Sequence, residues 1–348
     1  MFHAPPKTSR RKNLICTAFV LGAAICSQNI YASDVAVPEE YGATGGNSLA
    51  FGGSVASGVC GVSSVRANPA LLALEKEYGV SAAYHWPSAG RDFYQVGVVD
   101  GKTSAVAAGF TYTGAFDNYQ GIASRGAAEA TSASRRSPMS KDSPIVKRAA
   151  AALALPIGKV YAGIEGGYVE ARNPADTLFE EAGATIKGFT LGLGLAAHFT
   201  QAFRVGISAE NLANKKVQFA APTYFRMASS YFFGDIATLH LDYRRREAVT
   251  LYEGSAPTLT LADEGAPKSK VAQAENFVNV STSVKIYDLL RVIAAAGQNK
   301  SQDHFATQLA GGLSLINEKF NFSYQVLQPN VAESSVHHVV SLGLEMAM

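Results

Sequence analysis

The sequence predicts an all-β protein, a transmembrane antiparallel up-and-down β-barrel of about 14 strands with an N-terminal plug inside its lumen. Three observations predict it. From Tyr78 onward apolar residues recur with a period of two rather than 3.6. The connections between the alternating segments are short and long by turns. Beyond the first 32 residues no apolar run is long enough for a membrane-spanning helix, so a helical membrane protein is excluded. The net charge of +2 gives no reason to expect nucleic acid.

Residues 1–32 read as a secretory signal peptide. Lys7, Arg10, Arg11 and Lys12 form its basic start, and Leu14 to Ile25 its apolar core. That core falls short of the roughly twenty residues a spanning helix needs, which disfavours a retained anchor. Cleavage is expected after Ala32. Lipidation at Cys26 is disfavoured by Ile25 before it. With Cys16 and Cys26 in the signal, Cys60 stands alone in the mature chain, and an intramolecular disulfide is excluded there.

Residues 33–77 are expected to form a plug or hatch. They contain "GATGGNSLAFGGSVASGVCGVSSVRANPALLAL", rich in small and apolar residues and poor in charge. A solvated tail would be more polar. The available container is the lumen of the barrel that follows.

Residues 78–348 form that barrel. Strands are expected at 78–86, 92–99, 104–113, 146–155, 159–170, 186–199, 203–211, 223–233, 236–247, 276–286, 290–297, 305–316, 319–327 and 337–348. Even-numbered strands are followed by short turns such as Pro156-Ile157-Gly158 and Gly234-Asp235. Odd-numbered strands tend to be followed by longer polar loops, the longest near 114–145 and 248–275. Short turns at one end and long loops at the other mark an outer-membrane barrel, with loops extracellular and turns and C-terminus periplasmic. A soluble secreted β-sandwich has no reason to sort its loops in this way.

The two faces of the strands differ as lipid requires. On the apolar parity Tyr84, Trp86, Tyr112, Tyr168 and Tyr243 fall toward the long loops, and Phe199, Phe203, Phe233 and Phe320 toward the short turns. These are two interfacial girdles. The opposite parity carries Glu165, Arg204, Glu210, Arg226, Asp242, Arg244, Lys285, Arg291 and Glu345. A charge at mid-bilayer costs about 2–4 kcal/mol for Arg or Lys, so their shared parity is read as the lumen. Their near balance of sign suggests a network of ion pairs bracing plug against wall, and Asp242, Arg244 and Arg246 read as one ladder within it.

Against this frame "NSLAFGGSVAS…VRANPALLAL" resembles the start of the long-chain fatty-acid transporter superfamily of outer-membrane barrels, which includes relatives associated with secretion and conjugation. The matching positions are Gly52, Gly53, Asn68, Pro69 and Ala70. "FRVGISAENLAN" resembles a mid-barrel strand of that family, and "HHVVSLGLEMAM" its closing strand, through which barrel-insertion machinery would act. The final residue, Met348, departs from the usual aromatic terminus. The charged inner positions depart from the apolar interior of a hydrophobic channel. The resemblance implies passive, plug-gated passage of small hydrophobic molecules across outer-membrane lipid. The alternative it leaves open is a non-transporting adaptor of a secretion or conjugation system.

No chemistry is expected. Gly52-Gly53 and Gly311-Gly312 lack the context of a phosphate loop. No GxSxG elbow occurs. His337 and His338 are adjacent in a strand and so point to opposite faces, and His198, His240 and His304 have no carboxylate or Cys at ligand spacing. Neither a metal nor a cofactor is called for. The basic cluster Ser134 to Arg148 reads as a solvated outer loop, with contact to anionic lipopolysaccharide as the second reading.

Overall fold

The computed structural model describes residues 61–76, 78–87, 93–115, 145–172, 185–214, 217, 220–248, 274–286, 289–300, 305–317, 320–329 and 336–345. The expected signal peptide, the first part of the expected plug with Gly52 and Gly53, most of the basic cluster and Met348 lie outside them.

Fourteen antiparallel strands close into one barrel. They are β1 (Tyr78–Pro87), β2 (Phe93–Asp100), β3 (Ala107–Ala115), β4 (Ile145–Ile157), β5 (Val160–Arg172), β6 (Thr185–His198) and β7 (Phe203–Glu210). They continue with β8 (Tyr224–Phe233), β9 (Ala237–Arg246), β10 (Glu275–Ile286), β11 (Leu290–Lys300), β12 (Phe305–Asn317), β13 (Phe320–Pro329) and β14 (His337–Glu345). Each pairs with its sequence neighbours, and β14 returns to β1 in a register running from Gly79↔Glu345 to Pro87↔His337. Closure leaves no edge strand, the one β arrangement whose backbone is fully bonded in lipid. Two short turns need a left-handed residue, and glycine supplies it at Gly158 (φ 66°) and Gly234 (φ 59°).

Two places depart from the simple alternation. β3 begins at Ala107 rather than 104, because the Asp100 carboxylate accepts the backbone N–H groups of Lys102 (3.1 Å) and Thr103 (2.9 Å). That local turn withdraws the next residues from the ladder. β7 pairs with β6 only from His198↔Arg204 to Leu193↔Ala209. Asn211 then turns left-handed (φ 57°) and donates its side-chain amide to Pro222 O at 2.7 Å. Leu212 N–H bonds Leu191 O at 2.8 Å, and Val217 buries against Val169 and Ala221. The described residues of this connection thus fold back against β5 and β6.

The barrel wall has a dry face and a lined face. Leu153, Leu193, Leu241 and Leu313 all point outward and stand about half exposed in the isolated chain, an apolar surface that lipid covers. The lumen-facing residues of the same strands include Ala150, Ala152 and Ala154, which are buried. What buries them is the described part of the plug: a 3₁₀ turn (Gly61–Ser63), helix α1 (Ser64–Ala67) and helix α2 (Leu71–Glu75). Val65, Ala67, Ala70 and Leu71 have no exposed surface. The 3₁₀ turn lies against β1–β3, α1 against β3, β4 and β7, and α2 against β3–β6.

Candidate functional site

The site is the seat of this plug. Its floor is a wall of residues without side chains. A Cβ at Gly163 would stand 2.5 Å from Ala70 N and from the Pro69 carbonyl carbon. One at Gly194 would run into Asn68 Oδ1, and one at Gly109 would come within 2.6 Å of Val65. Glycine is required at these positions for close approach.

Into that wall fits the Asn-Pro-Ala turn. Asn68 ends α1, its backbone N–H bonding Ser64 O at 3.2 Å. Its Oδ1 accepts from Ala70 N–H (3.1 Å), which holds the turn, and its Nδ2 donates to Leu195 O of β6 (3.1 Å), which ties the turn to the barrel. Ser208 of β7 adds a bond from its hydroxyl to Ala67 O at 2.7 Å. Asn68, Pro69 and Ala70 are therefore brought together on the wall.

Beside the turn the charges converge. Arg66 of α1 is buried, and the charges acting on it come from Arg148, Glu210, Glu165 and Arg226. Arg148 reaches Glu165 at 3.1 Å and Thr190 at 3.2 Å, and Arg226 reaches Glu210 at 3.0 Å. Burial, with Arg148 beside it, lowers the Arg66 pKa to about 9 against the upward pull of Glu210 and Glu165, so the guanidinium stays charged at neutral pH. Three arginines and two glutamates meet in this cluster. At the other end of the plug Glu75 of α2 pairs with Arg204 of β7. Burial raises the Glu75 pKa and Arg204 opposes it.

A second group lines β8–β10. Arg246 pairs with Glu275 at 2.9 Å, and the Arg244 guanidinium lies 4.7 Å from the Phe277 ring and 5.7 Å from that of Tyr224. Asp242 is buried on the same stripe, and its neighbour His240 bonds Ser230 at 2.6 Å. Lys285 and Arg291 face each other as like charges across β10 and β11, and Glu345 stands opposite Gly79. The predicted charges thus fall into separate groups, with Glu165, Glu210 and Arg226 around Arg66, and Arg204 of β7 against Glu75 of α2.

Sequence reasoning did not single out Arg66, Glu75, Glu275 or the inward course of Arg148. Arg66 is the lone cation in a small and apolar stretch, which was the available signal. Arg148 was counted with the exposed basic cluster; its register opposite Thr113 and Val169 places it on the lumen side with Ala150 and Ala152, and it is buried. His337 meets His85 (3.1 Å) inside while His338 meets Tyr324 (2.9 Å) outside. Among the described residues no group of three metal-ligating side chains forms.

Fold and interior together define a plugged β-barrel of the outer-membrane type. No protein-family model matches the sequence, and no curated protein sequence matches it. Solved structures do share its fold. It is similar to the CymD monoaromatic hydrocarbon channel, with a TM-score of 0.60 at 14% identity, covering 88% of this chain and 97% of that one. It is similar to the toluene transporter TbuX of Ralstonia pickettii (TM-score 0.58, 15% identity, 87% and 98% covered). The P. putida toluene transporter TodX has a TM-score of 0.56 at 11% identity, with 87% and 99% covered. The architecture implied by the sequence resemblance is the architecture found.

Proposed function

We propose that this barrel passes small hydrophobic molecules, with monoaromatic hydrocarbons the favoured class, across the outer membrane by passive diffusion. Residues 33–77 act as its gate once residues 1–32 are removed. The observation that carries this reading is the seat itself: a plug docked on a glycine wall by a few hydrogen bonds and ion pairs, each of which can be remade. The fold shared with hydrocarbon channels supports the choice of cargo. The closing strand β14, completing the ladder with β1, is where insertion machinery would act.

The test is uptake of radiolabelled toluene by cells expressing the intact chain, an empty vector, or a chain lacking residues 33–70. Faster saturable uptake with the intact chain, altered by the deletion, supports the gate. The ion-paired interior favours a second reading, an adaptor barrel with a fixed plug. Uptake equal to the empty vector from a verified folded barrel would select the adaptor.

A further inference from the structure

The 3₁₀ turn of the plug lies against β1–β3, where a Cβ at Gly97 would run into Val62. One lumen position nearer the long loops, the same wall turns polar. Gln95 of β2 stands directly opposite Thr113 of β3. His85 of β1 stands opposite Phe93 and is therefore diagonal to Gln95. His85, Gln95 and Thr113 are each only 5% exposed. Each nevertheless keeps a polar atom without a hydrogen-bond partner: His85 Nδ1, Gln95 Nε2 and Thr113 Oγ1. His85 is held through its other nitrogen, Nε2, 3.1 Å from His337 Nδ1, and its ring centre lies 6.0 Å from that of Phe93. Unbonded polar atoms are rare inside proteins because each forfeits its hydration. Three of them on adjacent strands point to a partner from outside the chain.

We propose that His85, Gln95 and Thr113 bind the hydroxyl group of a monoaromatic molecule, a phenol or benzylic alcohol, in preference to a plain hydrocarbon. The proposal rests on the reading of the lumen as a passage for small hydrophobic molecules. Directly opposed side chains have Cβ atoms roughly 5 Å apart and diagonal ones roughly 7–8 Å apart, so one ring-sized molecule reaches all three. Their chemistry selects a hydroxyl. The Gln95 amide nitrogen donates, and the Thr113 hydroxyl donates or accepts. In a neutral imidazole the two nitrogens have opposite roles, so the bond to His337 fixes what His85 Nδ1 offers. A hydroxyl both accepts and donates, and so answers either kind of partner. A carboxylate only accepts and needs a cation; Arg148, next in register to Thr113, is engaged with Glu165 and Thr190. Phe93 and Val62, both buried, supply the apolar flanks for the ring.

Phenol and toluene differ by a hydroxyl in place of a methyl group at nearly the same size. Binding of each, radiolabelled, to the barrel in nanodiscs is measured by equilibrium dialysis, with empty nanodiscs subtracted. The expected result is a preference for phenol that falls about thirtyfold in Q95L/T113V, the worth of two hydrogen bonds. The control is S281A, which removes a buried hydroxyl of β10 that also lacks a partner, and it should keep the preference. Because the three atoms are unbonded within the fold, Q95L/T113V should melt no lower than the parent. Equal binding of phenol and toluene by the parent would overturn the site and assign the three atoms to water. So would an undiminished preference in Q95L/T113V, an equal loss in S281A, or a lower melting temperature of Q95L/T113V. Toluene uptake by cells expressing the parent chain reports on the passage itself. Uptake equal to the empty vector refutes the passage, whereas a missing phenol preference with uptake intact refutes this site alone.

Discussion

Placing a methyl group at Gly163 tests the whole account of the seat. The Cβ of Gly163→Ala would lie 2.5 Å from two backbone atoms of the plug, Ala70 N and the Pro69 carbonyl carbon. Neither can swing aside as a side chain would, so the Asn-Pro-Ala turn must retreat by about an ångström to restore ordinary contact. The bond from Asn68 Nδ2 to Leu195 O, 3.1 Å long, then passes beyond hydrogen-bond reach. Its loss costs about 1 kcal/mol, and forced repacking about 1–3 kcal/mol. The equilibrium shifts toward the unseated plug by about 2–4 kcal/mol, roughly 30- to 1,000-fold.

Two readouts follow from that shift. Trypsin should cut at Arg66 and Lys76, of which the first is buried in the seated plug. Single-channel recordings in planar bilayers should show openings that the parent lacks. The control is Gly166→Ala on the same strand, where an added Cβ meets nothing within 4 Å. If G163A and G166A share the same protection and the same conductance, the glycine wall is not a seat and the reasoning fails.

Three further outcomes follow from the same contacts. Glu165→Gln leaves Arg66, Arg148 and Arg226 with Glu210 as the one glutamate of the cluster, and should destabilise by about 3–5 kcal/mol; Glu170→Gln, from the exposed pair with Lys187, should leave stability nearly unchanged, and equal melting shifts for the two would contradict a buried hub. Leu241→Lys puts a charge on the lipid face and should cost about 2–4 kcal/mol, read as a lower urea midpoint in liposomes, whereas an unchanged midpoint would deny that this face meets lipid. Because the folded-state pKa of Glu75 is raised, its ionisation costs stability as pH rises through that value, and the cost is absent below the unfolded pKa of about 4.3; the melting temperature of the parent minus that of Glu75→Gln should therefore decline from acid to neutral pH, and a rise would reverse the assigned cause.

Much of the fold was legible because a barrel in lipid admits few solutions. Strand faces are dictated at every second residue, so Leu191 through Leu195 or Leu342 and Leu344 announce their orientation without help from the rest of the chain. Where the structure differs, a local side-chain bond overrode the period. Asp100 captures the next N–H groups and delays β3; Asn211 turns left-handed and shortens β7. Neither polar residue looks out of place in a strand-and-turn sequence, and only the bonds each makes reveal its effect. The inner charges were legible as a set, because parity alone assigns them to the lumen. Their partners were not, because pairing depends on how far each strand is sheared past the next. Arg148 shows the limit: adjacent in sequence to a basic loop, it belongs by register to the wall.

Under the proposed function, the division of the interior also explains why a barrel passing hydrophobic cargo contains so much charge. One wall, β3–β7, carries the glycines and alanines that take the plug, with Arg148, Glu165 and Glu210 among them. The other carries Ser230, Asp242, Asn279, Ser281 and Gln325, all buried. A plug held by apolar contact alone would compete with an apolar cargo for the same surface, and cargo would unseat it without discrimination. Ion pairs and hydrogen bonds are contacts that such a cargo cannot replace. Under the proposed function, Arg66, Asn68 and Glu75 set the energy of opening independently of whatever occupies the passage, and the glycine wall sets where the plug returns.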